Sequence, residues 1–251
     1  MFIKVFDFND NIKIMLKPNL YLLTFLLAFL LNINATFAED KTIYQQFAPT
    51  AEGTGKVYMG REIAHVMGCQ GAAWLEREAR EKEERTDILV KSLNLQSGLT
   101  IADVGAGTGY LSRRMADAIG TQGKVYAVDV QPEMIGKLKN ISKNHPAIKP
   151  VLSDVDNVKL PANSLDLAIM VDVYHELEYP REVVQSILAA LKPNGRLVLV
   201  EYRAEDDRVP IKQTHKMTEV QVIKELTALP LQWQKTISSL PWQHVIVFVK
   251  K

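Results

Sequence analysis

Along the chain, the pattern of apolar and polar positions changes character twice. Leu20 to Leu31 reads LYLLTFLLAFLL and follows a stretch that carries Lys4, Lys13 and Lys17. A basic segment leading into an apolar run is the layout of a secretory leader. The run is about a dozen residues long, whereas a membrane-spanning helix needs roughly twenty. Thr36-Phe37-Ala38 then offers small residues at the usual cleavage offsets. The pattern predicts a signal peptide over residues 1–38, cleaved after Ala38, and a periplasmic protein with no stable membrane span. An uncleaved inner-membrane anchor is the alternative. Met15 as a second start would leave a leader of 24 residues.

Residues 39–96 read as an arm followed by a helix. From Glu39 to Gly71 no period is sustained, which suits an arm or lid. Ala72 to Asn94 places Leu75, Ala79, Leu89 and Leu93 near helical spacing, with Glu76/Arg80, Glu78/Lys82 and Glu81/Arg85 as i, i+4 pairs. Its charge run reads as a solvated helix face.

Beyond the turn at Ser97-Gly98, apolar strand-like runs alternate with helical ones. Strands are expected at Thr100–Val104, Lys124–Asp129, Lys149–Leu152, Leu165–Val171 and Arg196–Tyr202, and helices at Tyr110–Ile119, Pro132–Asn144 and Pro180–Leu191. A helix near Thr218–Leu229 and strands near Gln232–Ile237 and His244–Val249 follow. Such alternation implies right-handed crossovers and a parallel, doubly covered sheet over residues 97–251.

Charge narrows the partners. Removing the leader leaves 27 basic and 27 acidic residues, which lacks the basic footprint of nucleic-acid binding. A single cysteine, Cys69, permits no internal disulfide and no cysteine-based zinc site, and reads as a small buried hydrophobe.

The strongest chemical signal is IADVGAGTGY, a strand, then Gly105, Gly107 and Gly109, then a helix. Glycine permits positive φ and lets backbone approach a ligand closely. A dinucleotide site favours G-x-G-x-x-G, with its third glycine where Tyr110 stands here. A ligand without a pyrophosphate is the better match, and an NAD(P)-dependent oxidoreductase the weaker one. Asp129, twenty residues past Gly109, ends the second strand where a carboxylate can accept both hydroxyl hydrogens of a ribose.

DVGAGTGY, VYAVDVQPEM, SLDLAIMVDVYHEL and LKPNGRLVLVEY resemble the successive motifs of class I S-adenosylmethionine-dependent methyltransferases, with coverage from about Asp87 to the C-terminus. MGCQGAAWLERE, VEYRAED and LPWQH also resemble a group of exported bacterial methyltransferase-like proteins. The family resemblance implies a Rossmann-like, doubly wound seven-stranded sheet of order 3-2-1-4-5-7-6 with strand 7 antiparallel. It also implies S-adenosylmethionine as cofactor. Gly105, Ala106 and Gly107 would lie along its methionine part, Asp103 would face its amino group, and Gly109 and Asp172 would also belong to the cofactor site. Asp129 would hold the ribose, Val130 would lie beside the adenine, and Asp154 would meet the adenine amino group, with Asp156 as its rival.

Ligands of open α/β sheets sit beyond the carboxyl ends of the strands. There the fourth strand delivers Asp172, Tyr174, His175 and Glu176, and the fifth delivers Glu201, Tyr202 and Arg203. His175 is the candidate general base, with Glu176 orienting it or replacing it and Tyr174 as a pocket wall. Tyr58, Met59, Arg61 and His65 are expected in a lid, with His215 and Lys216 closing the opposite side. No H-E-x-x-H or i, i+4 ligand spacing occurs, and no metal is expected. The function implied is methyl transfer to a small-molecule acceptor. A non-catalytic binder of S-adenosylmethionine or S-adenosylhomocysteine is the alternative, since an exported protein is separated from a donor made in the cytoplasm.

Overall fold

The computed structural model describes residues 43–251, so the expected leader lies outside the described residues. Two sheets organise them. The first is a small antiparallel sheet of β1 (Tyr44–Gln46), β2 (Gly53–Tyr58) and β3 (Arg61–Ala64). β2 and β3 are joined by Met59 and Gly60, both at positive φ (49° and 94°), the conformation whose twist matches paired strands. Where the sequence suggested an arm without a period, there is a hairpin.

The single helix expected over Ala72–Asn94 is instead three short ones: α1 (Ala72–Leu75), α2 (Arg80–Glu84) and α3 (Thr86–Ser92). The break falls at Arg85, whose backbone is left-handed (φ 50°, ψ 56°). Glu81 stabilises the break. It reaches past Arg85 to accept the Asp87 N–H at 2.8 Å and the Thr86 hydroxyl, covering donors that the start of α3 leaves open. Nor is the charge run a solvated face, because Arg80 and Glu84 are buried.

The remaining elements build the large sheet. They run β4 (Thr100–Val104), α4 (Tyr110–Ile119), β5 (Lys124–Asp129), α5 (Pro132–Ser142), β6 (Ile148–Leu152), β7 (Leu165–Val171), α6 (Pro180–Ala190), β8 (Leu191–Tyr202), α7 (Glu219–Thr227), β9 (Leu231–Ile237) and β10 (Gln243–Lys250). The order across the sheet is β6-β5-β4-β7-β8-β10-β9. β4 through β8 are parallel, while β10 runs antiparallel to both β8 and β9.

Strand side chains alternate between two packed layers. Ala102, Ala168, Met170, Leu197 and Leu199 meet Val184 and Ile187 of α6 and Val222 and Leu226 of α7. Ile101, Leu167, Ile169, Val198 and Val200 meet α3, α4 and α5 through Leu89, Met115 and Leu138. With both faces covered, the central strands read as nearly continuous apolar runs, which is why their positions were legible. Sequence order reverses between β4 and β7, and a crevice opens at their carboxyl ends. Among the described residues no helix is long and apolar enough to cross a membrane.

Candidate functional site

The crevice holds a cleft of about 680 Å³. Its floor is Val104, Gly105 and Gly107 from the end of β4, Asp129 from β5, Val171 and Asp172 from β7, and Tyr202 from β8. Gly105 (φ 75°) and Gly107 (φ 54°) both sit where only glycine is comfortable, and each is closely covered. A Cβ on Gly105 would lie 2.5 Å from Val173, and one on Gly107 would lie 2.6 Å from Leu75.

Asp129 braces this loop. One carboxylate oxygen accepts the Gly107 N–H at 2.8 Å and the other the Gln131 N–H at 2.9 Å. Each oxygen keeps a second lone pair for a hydroxyl in the cleft. Burial raises its pKa, and those N–H groups partly offset the rise. Val130 lies on the cleft rim, as does Asp154, although the Asp154 carboxylate is drawn to Lys159 at 2.5 Å; Asp156 does not line the cleft.

Other expected contacts lie elsewhere. Asp103 alternates onto the layer shared with α4, where it accepts a hydrogen bond from the Ser112 hydroxyl at 2.5 Å rather than lining the cleft. Burial pushes it up to about 6. The Ala106 N–H is taken by the Val128 carbonyl at 2.9 Å, and its side chain packs into the second layer. Gly109 allows helix packing, since a Cβ there would lie 2.8 Å from Leu138. Tyr174 is no pocket wall; it is buried in the first layer, with the Arg61 guanidinium 5.5 Å from its ring. Arg203 turns its guanidinium to the Ser238, Leu240 and Pro241 carbonyls.

Asp172 departs most from ordinary geometry. Its φ of +55° is left-handed, uncommon outside glycine though tolerated best by Asp and Asn. Oδ2 accepts from Gln243 Nε2 at 2.7 Å, whereas Oδ1 is buried with no partner. Burial, then the nearby Glu84 and Glu201, raises its pKa well above the carboxylate range. Across the cleft wall stand two residues that the charge run concealed. Glu84 accepts from Arg80 Nε at 2.8 Å, Arg77 at 2.6 Å and the Tyr202 hydroxyl at 3.1 Å. Arg80 is the one arginine among the cleft-lining residues.

At the other end, Glu201 holds the site. Oε1 accepts the Tyr174 N–H at 3.0 Å, and Oε2 lies 2.6 Å from His175 Nδ1. Burial disfavours a charged ring, but Glu201 and Glu176 outweigh it and His175 is pushed up to about 10. This arrangement favours the imidazolium over the free base that a general-base role requires. Burial acts against the Glu176 carboxylate too, yet bonds from His175 and His215 hold it near 2. His215 arrives from forty residues further along, and its Nδ1 lies 3.2 Å from His175 Nε2.

The N-terminal segment forms the roof, though not through the residues expected. Val66, Met67, Trp74 and Leu75 line the cleft, while Tyr58 is buried in packing and His65 is exposed. Met67 donates its N–H to Glu176 at 3.1 Å and accepts at its carbonyl from Gln131 at 3.1 Å. Arg61 anchors the hairpin by a buried two-pronged pair with Glu225 (2.9 and 3.1 Å) and by a bond to the His175 carbonyl at 3.1 Å.

Residues 102–199, which contain this floor apart from Tyr202, match the family model of a methyltransferase domain. The chain is 31% identical over 148 residues to a mitochondrial ubiquinone biosynthesis O-methyltransferase of Schizosaccharomyces pombe, covering 56% of this chain and 47% of that protein. It is 27% identical over 114 residues to a ubiquinone/menaquinone biosynthesis C-methyltransferase of Neisseria gonorrhoeae, covering 45% of this chain and 46% of the relative. The chain thus spans about half the length of these curated relatives. A solved S-adenosylmethionine-dependent methyltransferase from Aquifex aeolicus shares the fold, with a TM-score of 0.70 at 21% identity, covering 74% of this chain and all of that one.

The Aquifex aeolicus protein is dependent on S-adenosylmethionine, and the residues present in this cleft fit that group. The glycine floor lets a ligand approach the backbone, the paired oxygens of Asp129 suit ribose hydroxyls, and the orphaned Oδ1 of Asp172 awaits a donor such as an ammonium.

Proposed function

We propose that the protein is an exported enzyme that transfers a methyl group from S-adenosylmethionine to a small-molecule acceptor. The observation that carries this reading is the buried, unpartnered Oδ1 of Asp172, beside a glycine floor braced by Asp129. Arg80 and Asp172 would take the carboxylate and the ammonium of the donor, Asp129 its ribose, and Val130 and Asp154 would flank its adenine. When bound, the donor supplies a sulfonium methyl already activated for displacement. The task left to the chain is orientation, which can contribute about 7–11 kcal/mol.

The acceptor end is lined by His175, Glu176 and His215, and the same cleft carries Val66, Trp74, Val130 and Val155 as exposed apolar side chains. That combination favours a largely apolar acceptor with one ionisable oxygen, nitrogen or sulfur. Glu201 fixes the His175 ring through Nδ1, and Met67 fixes Glu176, so both face the cleft in one orientation. Calorimetric titration of the purified protein with S-adenosylmethionine tests the reading. Binding at one site is expected, and no binding in the millimolar range would remove it.

A further inference from the structure

Three side chains at the acceptor end converge in a way that hydrogen bonding alone does not require. His175 Nε2, His215 Nδ1 and Glu176 Oε1 form a triangle with edges of 3.2, 3.3 and 3.7 Å. Nitrogen and oxygen ligands sit about 2.0–2.2 Å from a zinc-sized ion, so neighbouring ligands of a tetrahedral site lie about 3.3–3.5 Å apart. The triangle therefore has the size of one face of such a site. We propose that His175, Glu176 and His215 form a binding site for a divalent transition metal, with the remaining coordination position open to the cleft.

The surrounding contacts support the assignment. A ligating imidazole characteristically gives its other N–H to a carboxylate, which fixes the tautomer and the ring plane. His175 does so: its Nδ1 lies 2.6 Å from Glu201 Oε2, leaving Nε2 to face the other two ligands. Glu201 is fully buried and is itself held through the Tyr174 N–H. Glu176 is oriented in the same manner, because Met67 N–H occupies Oε2 and leaves Oε1 toward the imidazoles. Two imidazoles and one carboxylate suit zinc, cobalt or ferrous iron better than magnesium or calcium. All three residues line the same cleft as Asp129 and Asp172. An acceptor hydroxyl could thus occupy the open position, lose its proton to water and take the methyl group as the sulfonium becomes a thioether. That role rests on the reading of the cleft as a methyl-transfer site; the metal site itself does not.

The test uses the full protein after chelation and dialysis, titrated with cobalt(II) chloride in the visible range and with zinc chloride by calorimetry. One equivalent is expected to bind with a Kd of about 1 µM or tighter. Intense cobalt bands of a low-coordinate site should appear. His215→Ala and Glu176→Gln should each weaken binding about 100-fold, and Glu201→Gln about 10- to 100-fold through its hold on His175. Circular dichroism of each metal-free variant checks its folding, with His215→Gln replacing any alanine variant that unfolds. Wild type that binds neither ion at about 0.1 mM, or binding unchanged in a folded His215 variant, overturns the proposal. S-adenosylhomocysteine titrated into the same wild-type sample separates the two readings, since donor binding without metal binding sinks only this one.

Discussion

Replacing Asp172 with asparagine tests the donor site most sharply, because the two roles of the carboxyl group pull in opposite directions. Without a ligand, burial and then the neighbouring Glu84 and Glu201 raise the pKa of this carboxyl well above its ordinary range. A group whose folded-state pKa is raised contributes stability below its ordinary pKa and loses it as the pH climbs through the raised value. The amide in Asp172→Asn does not titrate and has no such loss. Asparagine also tolerates the left-handed backbone and can still accept from Gln243. The variant should therefore be at least as stable as wild type above neutral pH.

Binding should change the other way. With Gln243 holding the side-chain oxygen, the new amide NH2 takes the place of the orphaned Oδ1 and presents a donor to an ammonium. Losing one charge-assisted hydrogen bond costs about 1.5–3 kcal/mol, a factor of about 10 to 150 in Kd. Wild type should also release up to one proton as the ammonium draws out the carboxylate. Calorimetry with S-adenosylhomocysteine in buffers of different ionisation enthalpy measures both quantities. Equal affinity and equal proton release in Asp172→Asn would refute the assignment of Asp172 to the donor.

Three further outcomes follow from the same geometry. Asp129→Asn should leave either the Gly107 or the Gln131 N–H facing an NH2, costing about 1–3 kcal/mol in denaturant unfolding and weakening S-adenosylhomocysteine binding at least 10-fold. Unchanged affinity with lowered stability would reduce Asp129 to a brace. Arg61→Ala abandons Glu225 in a buried position and should lower stability by about 3–5 kcal/mol; a loss under 1 kcal/mol would mean that water compensates Glu225. In metal-free protein, His175 is held up to about 10 against an ordinary 6.5, so its stabilising contribution is complete below about 6.5 and fades as the pH rises through 10. The melting temperature should fall over that interval, and less so in His175→Gln; parallel profiles would contradict the role given to Glu201.

The central strands were legible because burial on both faces writes them as apolar runs. Their ends were legible too: Gly105, Gly107, Asp129 and Asp172 all reach the cleft. What local pattern missed depends on distant partners. Arg80 and Glu84 look solvated beside their neighbours, and only Tyr202, far along the chain, shows why Glu84 is buried. The left-handed Arg85 leaves no mark in a helical period. His215 joins His175 and Glu176 across forty residues, so a search for local ligand spacing passes over the cluster. The hairpin at Met59-Gly60 lacks the Asn-Gly signature of its turn type. Asp103 looked like a ligand contact by position, but the two-residue alternation of β4 turns it toward α4.

Met67 ties the roof to both banks of the crevice, yet neither tie involves its side chain: the amide hydrogen goes to Glu176 and the carbonyl oxygen receives Gln131. No replacement at position 67 other than proline can cut the first, and none can cut the second. A survey of side-chain variants would thus overlook this latch, whereas amide exchange at that one peptide would follow it directly. If donor entry and product departure require the roof to lift, their pace is written in two main-chain bonds, and it is Glu176 and Gln131, rather than Met67, through which the gate can be loosened.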